Sequence, residues 1–165
     1  PGAPVAHTLH QPSGEIVPLV EAAQRYRAAG ESVVLLAGER YGTGSSRDWA
    51  AKGPRLLGIR AVLANSFERI HRSNLIGMGI LPVQLPSGAT PFTMQIAAGD
   101  RSEVDAVRIV RANGDVENMR AAAAIETQLE VQLLRVGGVI LSTLARMMRE
   151  AGAAAATAAD PTPDG

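Results

Sequence analysis

The first half of the chain alternates short apolar runs with segments that have the composition of helices. The apolar runs are residues 32–37, 60–65 and 80–85, each of the length expected for a buried strand. Between them, residues 48–53 and 66–75 have helical patterns. Strands that alternate with helices at this spacing predict an α/β layer in which at least some strands are parallel.

Several residues mark expected boundaries of these elements. Pro18 and Gly30 bracket a short amphipathic helix, with proline in its first turn and glycine as its stop. Gly53 is expected to end the second helix, and Ser66 to cap the third. Pro82 lies in the last apolar run, and we expect it to move that strand towards an edge or a bulge.

The second half predicts a β-rich addition and a helical end. The segments 105–112 and 115–121 flank Asn113-Gly114, a strong two-residue hairpin turn. The spacing from Val139 to Met148 predicts a terminal helix. The expected fold class is therefore α/β, with a mixed, partly parallel sheet flanked by helices, a β-hairpin appendage and a C-terminal helix.

Both ends of the chain have a biased composition. Residues 1–14 are rich in proline and glycine without periodicity, and predict an irregular lead-in that continues a longer chain or a partner. Residues 151–165 consist mainly of Ala, Pro, Asp and Gly, and predict a disordered tail. The folded domain is expected to span residues 15–150, because a chain of 165 residues suits a single core.

Composition excludes several kinds of chemistry. Sixteen Lys and Arg residues balance sixteen Asp and Glu residues, so net charge gives no reason to expect a nucleic-acid or membrane-surface partner. The chain has no cysteine, and so offers no thiolate to a disulfide, a metal site or a covalent mechanism. No apolar run approaches the roughly 18 residues of a membrane span, and no signal-peptide pattern is present, so a cytoplasmic protein is expected.

A glycine-rich loop between the first strand and the second helix carries the candidate chemistry. Here Gly42-Thr43-Gly44-Ser45-Ser46-Arg47 leads into the helix. Glycine lets the backbone approach a ligand closely, and the N–H groups at a helix start attract an anion. The Arg47 guanidinium can bind a carboxylate through two parallel hydrogen bonds, beside two serine hydroxyls. This pattern predicts a carboxylate or phosphate pocket.

Two common phosphate-binding patterns do not fit this loop. It lacks the lysine of a phosphate-binding loop of the G-x-x-x-x-G-K-[ST] type, and Arg47 stands where the dinucleotide pattern G-x-G-x-x-G needs its third glycine. A plain strand-to-helix turn with a capping serine is the structural alternative.

Two longer motifs give the loop a more specific interpretation. The run from Ala37 to Gly53 resembles the serine–arginine signature of the aconitase family's swivelling C-terminal domain, and its ending Asp-Trp-Ala-Ala-Lys-Gly is similar to the bacterial aconitase A and iron regulatory protein branch. The run from Ser66 to Pro82 also resembles that domain. With a further similarity upstream, from Thr8 to Glu15, the resemblance covers roughly residues 5–86.

The resemblance implies a hydro-lyase that isomerises citrate and isocitrate through cis-aconitate by dehydration and rehydration. By matched position, Ser45 is implied as the catalytic base, and Ser46 and Arg47, with Thr43 and Gly44, as substrate-binding residues. A [4Fe-4S] cluster is implied on cysteines of other domains or of a large subunit, with no metal ligand from this chain. These cysteine-bearing domains 1–3 are the expected partners, without which the chain is expected to be inactive.

Other functions remain open on the sequence. Residues 128–136 and 141–144 lack the proline and tyrosines usual in the family, so methylcitrate and isopropylmalate-type substrates are alternatives to citrate. A non-catalytic binding module, including one that contacts RNA through Arg60, Arg69 and Arg72, is a further alternative. Neutral charge favours a solvated helix face for these arginines over an RNA contact.

The histidines and methionines are expected to have structural roles. The three histidines are expected to be surface or structural residues and not metal ligands; they are His7, His10 and His71. Four methionines are expected to fill the core; they are Met78, Met94, Met147 and Met148.

Overall fold

A computed structural model describes residues 4–45, 47–90, 93–95, 101–103 and 107–158. In chain order its elements are β1 (His7–His10), β2 (Glu15–Pro18), α1 (Leu19–Ala28), β3 (Val33–Leu36), α2 (Arg47–Leu56), β4 (Ile59–Ala64), α3 (Arg69–Gly77), β5 (Leu81–Gln84), β6 (Arg101–Glu103), β7 (Arg108–Val110), β8 (Val116–Asn118), β9 (Ala122–Ala123), α4 (Gln128–Val136) and α5 (Val139–Ala158).

The central sheet has the strand order β3-β4-β5-β9. Strands β3, β4 and β5 are parallel, and β9 joins β5 in the antiparallel direction. The predicted α/β class with a mixed, partly parallel sheet is confirmed. The Asn113-Gly114 turn joins β7 to β8, and β6 completes a separate antiparallel sheet of three strands.

Strand β4 is apolar from Ala61 to Ala64 because both of its faces are covered there. Val62 packs in a cluster with Ala51 of α2 and Leu75 of α3. Its neighbour Leu63 points to the opposite face and packs with Ile109 of β7. Two small cores therefore share one strand, which explains the continuous apolar run.

The N-terminal segment is more regular than its composition predicts. Thr8 pairs with Val17 and Leu9 with Ile16, so β1 and β2 form an antiparallel hairpin. The expectation of irregular structure is wrong for His7–His10, because this pairing satisfies backbone groups in spite of the flanking prolines and glycines. The predicted helix after Pro18 is confirmed as α1.

Tertiary contacts change two of the expected helix boundaries. Helix α2 continues through Gly53 and Pro54, and the guanidinium of Arg27 donates to the carbonyl oxygen of its last residue, Leu56, at 2.6 Å. Helix α3 is capped by the carboxylate of Glu68 and not by Ser66.

The two neighbours of β5 explain why a proline is accepted within this strand. Pro82 lies in an inner strand, between β4 and β9, and not at an edge. Strand β9 pairs with Val83 and Gln84 alone, so the missing N–H of Pro82 removes no bond from that ladder.

The C-terminal helices meet at two glycines. Thr127 and Glu130 form a capping box at the start of α4, and Gly137 ends that helix in the left-handed conformation. Helix α5 then extends to Ala158, into the segment predicted to be disordered, whereas residues 159–165 lie outside the described ranges.

The methionines divide between core and surface. Met94 is buried and Met78 packs against the core that contains Val62, as predicted. The expectation is wrong for Met147 and Met148, which are 57% and 74% exposed on α5. No single helix in the described part of the chain is long and apolar enough to cross a membrane; α4 and residues 139–151 pass such a test only as a pair bent by 84°.

Candidate active-site loop

The candidate loop, residues 38–45, leaves the carboxyl end of β3 and reaches the start of α2. The Ala37 N–H donates to the Leu63 carbonyl oxygen at 2.8 Å, and the Asn65 N–H donates to the Gly38 carbonyl oxygen at 3.1 Å. Because β3 and β4 are parallel, their carboxyl ends lie at one edge of the sheet, and the loop lies there. Open α/β sheets usually bind their ligands at this edge.

The middle of the loop is held to the segment that precedes α3. The N–H of Arg40 donates to the Ser66 hydroxyl oxygen at 2.7 Å, and the N–H of Tyr41 donates to the Ser66 carbonyl oxygen at 2.9 Å. In return, the N–H of Glu68 donates to the Tyr41 carbonyl oxygen at 2.9 Å. These bonds hold Arg40 at a φ of +53°, a conformation that non-glycine residues rarely adopt.

Gly42 makes the sharp turn that follows. Its φ is +90°, and a Cβ atom at this position would lie well under 3.0 Å from the imidazole ring of His71. The Tyr41 ring lies 5.1 Å from the His71 ring and 6.1 Å from the Phe67 ring, in edge-on geometries. Partial burial raises the pKa of the Tyr41 hydroxyl above its ordinary value.

The predicted site residues follow directly after this turn. Thr43, Gly44 and Ser45 lie together on the exposed end of the loop, and α2 begins at Arg47. Ser46 lies outside the described residues, and Arg47 is placed by its backbone, at the first position of the helix. The roles of these five residues in catalysis and binding stay predictions.

The start of α2 places partial positive charge near this end of the loop. The first N–H groups of a helix have no partner within it, and its aligned peptide dipoles place partial positive charge there. One turn further, Lys52 Nζ lies 4.6 Å from the centre of the Trp49 ring, which is 68% exposed. The loop can therefore receive an anionic ligand from solvent.

The sequence alone does not identify the residues that hold the loop in place. Tyr41, Ser66 and His71 stand within the two motifs, but neither spacing nor composition connects them across the 25 or more residues between them. The one available signal is Gly42, because a glycine in a loop indicates either a positive φ or a close neighbour. In this chain it has both.

Two other histidines lie in the N-terminal hairpin region. His10 Nδ1 lies 2.9 Å from the Ser13 hydroxyl, and its ring lies 4.8 Å from that of Tyr26. His7 Nδ1 donates to the Val5 carbonyl oxygen at 2.9 Å. Within the ranges described, no group of three or more His, Cys, Asp or Glu side chains is arranged to hold a metal ion.

The arginines proposed as an alternative RNA contact do not form one surface. Arg60 and Arg69 are exposed, but Arg72 is only 8% exposed. Its guanidinium donates to the Ala124 carbonyl oxygen at 2.8 Å and pairs with the Glu130 carboxylate at 2.9 Å. The expectation that Arg72 lies on a solvated helix face is therefore wrong, because its guanidinium joins α3 to α4.

A cavity of about 870 Å³ lies elsewhere, between α1, the N-terminal hairpin and the central sheet. Its lining is largely apolar and includes Ala22, Val34, Leu63 and Ile109. The residues that line it include none of 38–45, so the cavity is separate from the candidate loop.

Comparison with known proteins identifies the family. The profile of the aconitase C-terminal domain matches residues 2–88, more than half of the chain and all of the loop with its supports. The chain belongs to the aconitase C-terminal domain family. The resemblance seen in the two motifs is thereby confirmed.

The relatives of this aconitase C-terminal domain are much longer proteins. Aconitate hydratase A of Escherichia coli is 40% identical over 160 residues, which cover 90% of this chain and 18% of that protein. Phosphinomethylmalate isomerase of Streptomyces viridochromogenes is 43% identical over 153 residues, which cover 88% of this chain and 17% of that protein. The chain thus spans less than a fifth of the length of these relatives.

A solved structure shares the fold over most of its length. A chain of 3-isopropylmalate dehydratase from Methanocaldococcus jannaschii superimposes with a TM-score of 0.57 at 28% identity. The match covers 82% of this chain and 83% of that one. The relatives and the structural neighbour thus include enzymes named as hydratases and dehydratases.

Proposed function

We propose that this chain is the domain of an aconitase-type hydro-lyase that supplies the base and the carboxylate-binding loop for the isomerisation of citrate and isocitrate through cis-aconitate. The observation that supports it is the position of Ser45, exposed beside the start of α2 within the region that matches the family profile. Its partners are cysteine-bearing domains 1–3, on the same polypeptide or on a large subunit.

In this proposal Ser45 acts as the base. Its alkoxide removes a proton from the carbon next to a substrate carboxylate, while hydroxide leaves the adjacent carbon and a double bond forms. Hydroxide then adds to the carbon that lost the proton, and Ser45 returns its proton to the carbon that lost the hydroxide, so that hydrogen and hydroxyl exchange positions and the alkoxide is restored. Serine is a poor base in water, so the reaction needs the positive end of α2 and the neighbouring guanidinium to stabilise the alkoxide.

The other loop residues bind the substrate. Arg47 clamps one carboxylate through two parallel hydrogen bonds, and Ser46 adds a hydrogen bond next to it. Thr43 and Gly44 line the approach, where the absence of a side chain on Gly44 lets the substrate come close to the backbone. This clamp fixes the proton to be removed within reach of Ser45.

The iron–sulfur cluster implied by the resemblance has no ligands in this chain. Its usual protein ligands are cysteine thiolates, and the sequence contains no cysteine. We therefore assign the cluster to the partner domains and derive no step through it from the residues of this chain.

A direct test compares serine variants of the assembled enzyme. The chain is produced together with the cysteine-bearing domains, and aconitate formation from citrate and isocitrate is followed. Ser45→Ala is expected to lower kcat by about 10³-fold, a typical effect of removing a positioned base. The control Ser73→Ala, at an exposed serine of α3, is expected to leave kcat unchanged. Full activity of Ser45→Ala would exclude the proposal.

A second substrate class is favoured by one observation. The relative from Streptomyces viridochromogenes, at 43% identity, is named for phosphinomethylmalate, in which a phosphinate group is present beside carboxylates. An anion-binding loop at a helix start accepts either group. Parallel assays with phosphinomethylmalate, methylcitrate and 3-isopropylmalate decide the substrate, because the highest kcat/KM identifies the class that the whole enzyme accepts.

A further inference from the structure

The ring of His71 lies where a side chain at position 42 would otherwise be. A Cβ atom built on Gly42 overlaps the Cγ, Cδ2 and Cβ atoms of His71, and no other atom of the chain is among its three nearest neighbours. His71 is 0% exposed and belongs to the first turn of α3, where its N–H donates to the Glu68 carboxylate at 2.9 Å. The buried His71 ring thus packs directly against the turn of the loop.

The His71 ring also packs beside Tyr41, the residue before the turn. The Tyr41 ring lies 5.1 Å from the His71 ring, and the backbone of Tyr41 is bonded on both sides to Ser66 and Glu68. From Gly42 the chain needs only three more residues to reach Ser45. A shift of the turn is therefore passed along a short and exposed segment to the serine.

We propose that His71 is a positioning residue for the active-site loop, and that its contact with Gly42 sets the location of Ser45 at the start of α2. The catalytic part of this inference rests on the proposed function. His71 touches neither substrate nor the reacting proton, and it acts through the turn. Displacement of a reacting group by about 1 Å costs on the order of 10²-fold in rate, so the contact has a measurable consequence.

A double-mutant cycle in the assembled enzyme tests the contact. His71→Gly and Gly42→Ala are each expected to lower kcat by about 10²-fold with little change in KM, because the substrate clamp is retained while the base is displaced. His71→Gly removes the ring and also the Cβ atom that would overlap the new methyl group, so the double variant is expected to lose much less than the product of the two single losses.

A matched control separates this effect from glycine replacement in general. Gly58 lies outside the loop, between α2 and β4, has a φ of +80°, close to the +90° of Gly42, and has nothing within 4 Å of an added Cβ atom. Gly58→Ala is therefore expected to leave kcat within about twofold of the wild type. Strictly multiplicative effects of His71→Gly and Gly42→Ala would overturn the inference.

Hydrogen exchange supplies a measurement that does not depend on catalysis. In the full chain, the amide of Tyr41 is expected to exchange faster in His71→Gly, whereas the amide of Arg111, bonded at 2.7 Å in the distant hairpin, reports any global loss of stability. An unchanged Tyr41 amide would overturn the positioning role. Faster exchange at Tyr41 with unchanged kcat would instead contradict the catalytic assignment of Ser45, so the two failures are distinguishable.

Discussion

Arg72 of α3 and Glu130 of α4 form an ion pair at 2.9 Å, across 58 residues of sequence. Both side chains are largely buried, at 10% and 15% exposure. Glu130 also belongs to the capping box of α4, so one carboxylate fixes the start of a helix and joins it to the helix that contacts the candidate loop. The stability of the C-terminal unit therefore depends on its charge.

Glu130→Gln is expected to lower the free energy of unfolding by about 2 kcal/mol at neutral pH, the usual contribution of a hydrogen bond to a charged group. The hydrogen bond from Arg72 lowers the pKa of the Glu130 carboxyl in the folded chain. The ionised form thus stabilises the fold fully above the ordinary glutamate pKa, and this contribution is lost as the pH falls through the lowered value. Urea unfolding at several pH values measures the difference.

The neighbouring glutamate provides the control for that experiment. Glu126 also lies near Arg72, at 3.1 Å, but its side chain is 70% exposed. Glu126→Gln is expected to change the stability by no more than about 0.5 kcal/mol. Equal losses for the two variants, or a loss for Glu130→Gln that persists at low pH, would show that the ion pair is not the cause.

Two backbone segments meet where α3 ends and α5 begins. A Cβ atom on Gly79 would lie 2.5 Å from the carbonyl carbon and oxygen of Gly137, and neither backbone can move independently of its helix. Gly79→Ala is therefore expected to destabilise the chain by about 3 kcal/mol or more. Gly30 has a nearly equal φ, +74° against +71°, with nothing within 4 Å, so Gly30→Ala measures conformational strain alone, at about 1 kcal/mol. Similar denaturation midpoints for both variants would contradict the backbone collision.

Local patterns predict the elements of this chain better than their boundaries. The apolar run that became β4 is unambiguous, because both of its faces are buried. Ser66 is a good helix cap by type, but its hydroxyl oxygen already accepts the N–H of Arg40, so Glu68 caps α3 instead. That competition arises only once the loop is folded onto α3, and no local pattern contains it.

The candidate site likewise contains residues that the sequence predicts and contacts that it does not. Ser45 and Arg47 can be proposed from the sequence because the candidate site residues are contiguous within one motif. His71 and Arg72 are adjacent in sequence and both buried, yet one faces the loop and the other faces α4. Their partners are 29 and 58 residues away, so their surroundings follow from the packing of α3 and not from its sequence.

Asn65, directly after β4, ties the loop edge of the sheet to the segment that follows β5. Its side-chain amide donates to the carbonyl oxygens of Pro86 at 2.9 Å and Ala89 at 2.8 Å. Asn65→Asp keeps the shape but replaces this donor with an acceptor that faces two carbonyl groups. We expect a loss of about 2–3 kcal/mol in the free energy of unfolding. Asn118→Asp, at an exposed position of β8, is expected to stay within about 0.5 kcal/mol, and a comparable loss there would contradict the explanation.

Arg47→Lys tests the geometry of the proposed carboxylate clamp. Lysine retains the positive charge but not the planar pair of donors, so attraction of the substrate is kept and two-point binding is lost. We expect kcat/KM of the assembled enzyme to fall by about 10²-fold, an effect of about 2.7 kcal/mol on transition-state binding. Arg69→Lys, at an exposed arginine of α3, is the matched control and is expected to leave kcat/KM unchanged. If Arg47→Lys kept wild-type kcat/KM, the guanidinium would contribute charge alone, and the two-point carboxylate clamp would have to be assigned to another residue.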